Sequence, residues 1–314
     1  MNGLDLSRGY YEEYGRPMLE ESFKELLPYL AIGLVGSGSE RFGYDDEISR
    51  DHDFEPGFCI FLPEEDVVDR RSEFLLERAY AKLPKTYMGV SRQKLSPVGG
   101  NRNGVMRTAD FYTAKTGSPN GELTVNEWLA IPDEALAEAV NGEVFTDNYG
   151  QFTEIRSLII NMPQDVKLKR IAGNLLLMAQ SGQYNYRRCL EHGEPEAAQL
   201  ACSEFVNSAM KVYFLLNGGY KPYYKWCFRA LQEINGGLPL AERLSYVLMA
   251  DHSNKAIAEK KYAVIEEISE QFISCLQKHN IAETAGSDLE RYAYLVNDRI
   301  SDSYIRTMHI LAAS

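Results

Sequence analysis

The chain has 314 residues, 45% of them hydrophobic and 25% charged, a balance that excludes wholesale disorder and suits about two domains. Its formal net charge is −12, which disfavours generic binding of nucleic acid, since that needs a basic surface facing the phosphates. The charge is uneven: residues 1–155 carry 28 acidic against 15 basic side chains, and the rest of the chain is close to neutral.

In chain order, the first residues lack a basic stretch followed by an apolar one, so no signal peptide is expected. No apolar run approaches the ~20 residues that span a bilayer. Residues 16–30 place Met18, Leu19, Phe23, Leu26, Leu27 and Leu30 at helical spacing and predict an amphipathic helix. Ala31–Val35 reads as a buried strand, ended by the turn Gly36-Ser37-Gly38-Ser39. After a polar loop, residues 51–62 read as a long strand, or one with an irregularity at Pro56-Gly57. Residues 63–83 predict a helix, Gly104–Thr108 a strand, and residues 124–140 a helix interrupted at Pro132. From about Arg156 long helical patterns dominate, at 195–217, 240–250, 256–278 and 287–311. The expected architecture is an α/β N-terminal domain over 1–155 and an all-α C-terminal domain over 156–314. The cysteines, Cys59, Cys189, Cys202, Cys227 and Cys275, are scattered without a CxxC pair, which points to a reducing, cytoplasmic setting.

The chemistry concentrates between residues 34 and 62. Small residues in the Gly36–Ser39 turn let a backbone approach a phosphate closely, and the Ser hydroxyls can bond its oxygens. Downstream, Asp51 and Asp53 flank His52. On a strand, positions i and i+2 share a face, so the two carboxylates stand together and His52 points away as a structural residue. A carboxylate pair repels itself unless a cation neutralises it, and Mg²⁺ takes such oxygen ligands.

A Gly-Ser turn after a strand, about a dozen residues, then Asp-x-Asp before an apolar strand resembles the signature of the nucleotidyltransferase superfamily, which includes DNA polymerase beta and kanamycin nucleotidyltransferase. The run GSGSERFGYDDEISRDHDF also resembles the core of an uncharacterised bacterial family, a domain of unknown function placed among nucleotidyltransferase-like proteins. The stretch Tyr184–Trp226 resembles that family's helical domain. The resemblance implies a polymerase-beta-like α+β domain with a mixed sheet and a helical bundle behind it. It implies that Gly36, Ser37, Gly38 and Ser39 hold the triphosphate of an NTP, ATP first, and that Asp51 and Asp53 bind Mg²⁺. It also calls for a third carboxylate, with Asp110 nearest and Glu122 and Asp147 as further candidates.

Arg41 and Arg50 are candidates to neutralise phosphates, or to pair with the acidic loop Asp45-Asp46-Glu47. That loop reads as a solvated turn, or as support for the site and for a cationic acceptor. From Phe205 to Gln232 there is no acid, yet Lys211, Lys221, Lys225 and Arg229 occur there. Lys225 and Arg229, four apart, are expected on one helix face, and the resemblance to the superfamily implies that Lys225 reaches the triphosphate across the cleft. Tyr220, Tyr223, Tyr224 and Trp226 are candidates to stack on a base. Tyr184, Tyr186 and Arg187 rank below them. The leading expectation is Mg²⁺-dependent transfer of a nucleoside monophosphate to the hydroxyl of a small molecule, with no membrane partner. Two other readings stay open: a nucleotide-binding or interaction module that has lost catalysis, and a toxin–antitoxin-type enzyme modifying protein or RNA.

Overall fold

The computed structural model describes residues 2–48, 54–92, 102–283 and 286–314. The chain divides into two compact units. One comprises Met1–Leu123 and Ala135–Asn161, and the other Thr124–Glu134 and Met162–Ser314.

The first unit is built on a four-stranded mixed sheet of β1 (Ala31–Leu34), β2 (Cys59–Leu62), β3 (Gly104–Arg107) and β4 (Glu143–Asp147), in the order β3-β2-β1-β4. β1 runs antiparallel to β2 and to β4, and β2 runs parallel to β3. Every residue of β1 and β2 is buried, which is why both strands read as continuous apolar runs instead of alternating ones. Gly33 is required where β1 meets β4. A Cβ there would lie 2.4 Å from the Glu143 carbonyl oxygen, at the point where the register shifts between Ile32 and Gly33. Tyr10, Tyr11, Phe58 and Tyr80 pack in one apolar cluster with Ile32 and Ile60. Phe61, Phe111, Tyr112 and Phe152 form a second, with ring centroids 4.3–5.6 Å apart.

Several sequence expectations change here. The helix predicted over 16–30 starts much earlier and stops sooner. It runs through Gly3–Tyr10, a π turn at Tyr11–Gly15 and Arg16–Ser22. The strand predicted over 51–62 is limited to Cys59–Leu62 among its described residues. Pro56 has no N–H to give a ladder, Gly57 packs against the Asn103 side chain, and the Phe58 N–H donates to the Tyr80 hydroxyl at 3.0 Å instead. Residues 63–69 are not helical. The helix Arg70–Lys82 starts where the Asp69 carboxylate accepts the Ser72 N–H at 2.7 Å.

The second unit is helical. Its long members are Gln164–Met178, Pro195–Leu216, Gly237–Met249, Lys255–Lys278 and Leu289–Asp298. Gln164–Met178 is the central one, packed against Pro195–Leu216 and Leu289–Asp298. Lys169 on it is fully buried, its Nζ donating to Asn297 Oδ1 at 2.9 Å and to the Met308 carbonyl at 2.7 Å. Those bonds explain how an ammonium is tolerated there. The helix expected over 287–311 is broken. Asp165 accepts the Ser301 and Asp302 N–H groups, and Asp302 then caps a separate short helix, Ser303–Thr307. The interruption expected at Pro132 is present, between Val125–Ala130 and Asp133–Val140. Among the described residues, no helix is long and apolar enough to cross a membrane.

Candidate functional site

β1 ends at Leu34 and the chain turns through Val35-Gly36-Ser37-Gly38 into the short helix Ser39–Phe42. Gly36 and Gly38 have φ of 100° and 134°, values that side-chain-bearing residues rarely adopt. A Cβ at Gly36 would also lie 3.2 Å from the Phe111 ring. The turn is therefore specified twice over, by backbone conformation and by space.

Three distant side chains converge on it. Lys115 comes from the last turn of α1 (Thr108–Thr116), and Glu138 from α2 (Asp133–Val140), which Asn141 follows directly. Asn141 clamps the Gly36 backbone from both sides: its Oδ1 accepts the Gly36 N–H and its Nδ2 donates to the Gly36 carbonyl, both at 2.7 Å. The Ser37 hydroxyl donates to Glu138 Oε2 at 2.6 Å and accepts from Lys115 Nζ at 2.7 Å. Lys115 and Glu138 are themselves ion-paired. A hydroxyl and an ammonium thus meet at the end of a strand with an anion bound between them. Sequence reasoning missed all three residues. Glu138 and Asn141 lie one helical turn apart, which was visible, but nothing local tied them to Ser37.

The other candidates are distributed as follows. Arg50, Asp51, His52 and Asp53 lie outside the described residues. Arg41 is not available to a phosphate. Its side chain is 1% exposed, with Nε donating to the Val35 carbonyl at 2.7 Å and Nη2 to the Arg102 carbonyl and Asn103 Oδ1, both at 2.8 Å. It also pairs with Glu40. Arg41 therefore holds the turn from beneath. Asp45 accepts the Gly3 N–H at 3.0 Å, which makes it an anchor for the first helix.

Of the third-carboxylate candidates, Asp110 is exposed in the first turn of α1, the helix that also supplies Phe111 and Lys115. Glu122 accepts from Asn120 in an exposed loop. Asp147 is paired in register with Ala31, at the end of β1 opposite the turn, and accepts the Gly150 and Thr153 N–H groups. It caps a helix and does not reach the turn. Among the described residues no group of three or more His, Cys, Asp or Glu is placed to hold a metal ion.

In the second unit, the helix that was to carry both Lys225 and Arg229 begins only at Cys227. Lys225 lies exposed in the preceding turn, and only Arg229 is helical, its guanidinium 5.5 Å over the Trp226 ring. Lys221 is buried, donating to the Pro222 carbonyl at 3.3 Å and lying 3.7 Å from Glu134. Tyr223 and Tyr224 are exposed with centroids 4.2 Å apart, whereas Tyr220 is buried and burial pushes its phenol pKa up. Tyr186 is also buried, Tyr184 accepts from Arg188, and Arg187 lies over the Tyr262 ring. Tyr186 and Arg187 line one pocket with His252, and Tyr184 is not part of its lining.

Comparison with known proteins returns two similarities. A model of the family described as "Domain of unknown function (DUF4037)" matches residues 128–227, less than half of the chain. The match takes in Tyr184–Trp226 but not the Gly-Ser turn. Among solved structures, a nucleotidyltransferase-like protein from Exiguobacterium sibiricum 255-15 is similar at 10% identity and a TM-score of 0.37, covering 85% of this chain and 78% of that one. No curated protein matches.

Proposed function

We propose that the chain is a Mg²⁺-dependent nucleotidyltransferase that moves a nucleoside monophosphate from an NTP, ATP first, to the hydroxyl of a small acceptor. The observation that carries this reading is the anion-binding geometry of the Gly-Ser turn. Two positive-φ glycines shape the turn, and the Ser37 hydroxyl and Lys115 ammonium both point at one acidic oxygen, Glu138 Oε2. A phosphate oxygen offers the same acceptor with more charge.

In this reading the turn of Gly36, Ser37, Gly38 and Ser39 holds the triphosphate, with the Gly36 N–H itself taken by Asn141 and Lys115 added to the set that the sequence suggested. Asp51 and Asp53 would hold Mg²⁺, which when bound neutralises phosphate charge and activates the acceptor hydroxyl. The acceptor oxygen bonds to the α-phosphorus as the bond from that phosphorus to the β-phosphate oxygen breaks. Pyrophosphate leaves with that electron pair, and the acceptor's proton passes to a carboxylate, Asp110 in this assignment. The protein's contribution is mainly positioning and charge neutralisation.

The test is incubation of the protein with each α-labelled NTP, Mg²⁺ and a metabolite extract. Label is expected in a small-molecule fraction, and Asp51→Asn or Asp53→Asn is expected to abolish transfer while the circular dichroism spectrum stays native. Label in protein or RNA would move the acceptor class to a protein- or RNA-modifying enzyme. NTP binding without product would leave a nucleotide-binding module. Turnover close to wild type in both variants would refute the metal assignment.

A further inference from the structure

The Glu138 carboxylate sits where the first unit offers a ligand anion its donors. Its Oε2 receives both the Ser37 hydroxyl and the Lys115 ammonium. Neither charged group is deeply buried. The Lys115 and Glu138 side chains are 18% and 23% exposed, so a solute can reach both. Among the described residues, the Glu138 side chain bonds only to Ser37 and Lys115, and a rotation of that side chain releases both.

The turn itself does not depend on Glu138. The Gly36 N–H and carbonyl are held by Asn141, and the residue before it by Arg41 through the Val35 carbonyl. Removal of the carboxylate would therefore leave the donors in place and the ammonium without a counter-ion. Such a site is preorganised and blocked at once: ligand binding must first replace an internal anion.

We propose that Ser37 and Lys115 form a phosphoryl subsite for which Glu138 is the built-in competitor, so that a polyphosphate must displace the Glu138 carboxylate to bind. This rests on the nucleotide-binding reading of the Gly-Ser turn and adds its regulation. A phosphate chain carries more charge than one carboxylate and more acceptor oxygens, so it wins the exchange at a cost in affinity set by the lost ion pair. Lys115 stays paired in both states, to Glu138 in one and to phosphate in the other. The nucleotide-free protein therefore does not leave a bare cation at the turn.

The experiment is calorimetric titration of the full chain with inorganic tripolyphosphate, and separately with ATP and Mg²⁺. Wild type, Glu138→Gln, Glu138→Ala and Lys115→Met are compared, with circular dichroism as the check on folding. Both Glu138 variants are expected to bind tripolyphosphate about five- to tenfold more tightly than wild type, the size of one partly exposed ion pair with its hydrogen bond. Lys115→Met is expected to bind at least about tenfold more weakly, as loss of a charge-assisted contact requires. If wild type binds and the folded Glu138 variants bind equally or more weakly, the competition is refuted while the nucleotide reading stands. Unchanged binding by Lys115→Met refutes the subsite. If wild type and the Glu138 variants all fail to bind tripolyphosphate and ATP, the nucleotide reading falls and takes the inference with it.

Discussion

Replacing Asn141 with Ala removes two hydrogen bonds from the peptides on either side of Gly36, whose N–H and carbonyl are each held at 2.7 Å. The site is partly buried, so water replaces the amide only in part. Each bond contributes about 1 kcal/mol net, and an inaccessible backbone group left unpaired costs about 1–3 kcal/mol. A loss of about 2–3 kcal/mol in the local stability of the turn follows, toward the lower end because of the partial exposure. The chain's two tryptophans, Trp128 and Trp226, both lie in the second unit, so their fluorescence does not report on the turn. Amide hydrogen exchange does, read by mass spectrometry on a peptide spanning residues 31–43. Asn141→Ala should exchange there roughly 30- to 150-fold faster, the rate equivalent of that free energy. Weakened tripolyphosphate binding should accompany it, because the donors of Ser37 depend on the path of Gly36. Protection within threefold of wild type would show that the glycine conformation holds the turn without the clamp, and would refute the reasoning.

Two other outcomes are expected. Burial first, and the Lys261 charge second, hold the His252 imidazole pKa below its usual 6.5. The unfolded chain then takes up a proton that the folded chain refuses as pH falls through that value, so stability in the second unit should decline on acidification below about pH 7. Urea melts followed by tryptophan emission at pH 7.5, 6.5 and 5.5 measure the slope, and His252→Gln should flatten it. An unchanged slope in that variant would assign the acid sensitivity to carboxylates instead. For the thiols, burial pushes Cys202 up to about 11, and Cys59 and Cys227 are buried as well. A neutral-pH reaction with iodoacetamide should label Cys189 and Cys275 first, as a peptide map will show, and early labelling of Cys202 would contradict its burial.

Much of the fold was legible locally. The β1 strand, the Gly-Ser turn, β3, the break at Pro132 and the helical texture beyond residue 160 follow from short-range patterns: apolar runs, turn residues and 3.6-residue periodicity. Two of the departures share one cause, a distant partner that takes up backbone groups. Pro56-Gly57 ended a strand because Phe58 found a tyrosine hydroxyl, and the last long helix broke because a carboxylate far back in the chain, Asp165, captured its backbone. Lys225 lost its helix face because the Lys221–Trp226 segment stays irregular up to Cys227.

Sequence alone determined that a glycine-rich turn would follow a buried strand, because the residues that allow such a turn are contiguous. It also singled out Asp51 and Asp53 as a carboxylate pair, on their spacing. Tertiary structure decided what the turn holds. Asn141, Glu138 and Lys115 stand 105, 101 and 78 positions from the residues they bind, and Arg41 changed from a candidate phosphate ligand into a buried brace. Hydrogen bonds and ion pairs act over a few ångströms, whatever the separation along the chain. Which side chain meets Ser37 is therefore set by how the sheet and helices pack, and the pattern of neighbouring residues does not carry it.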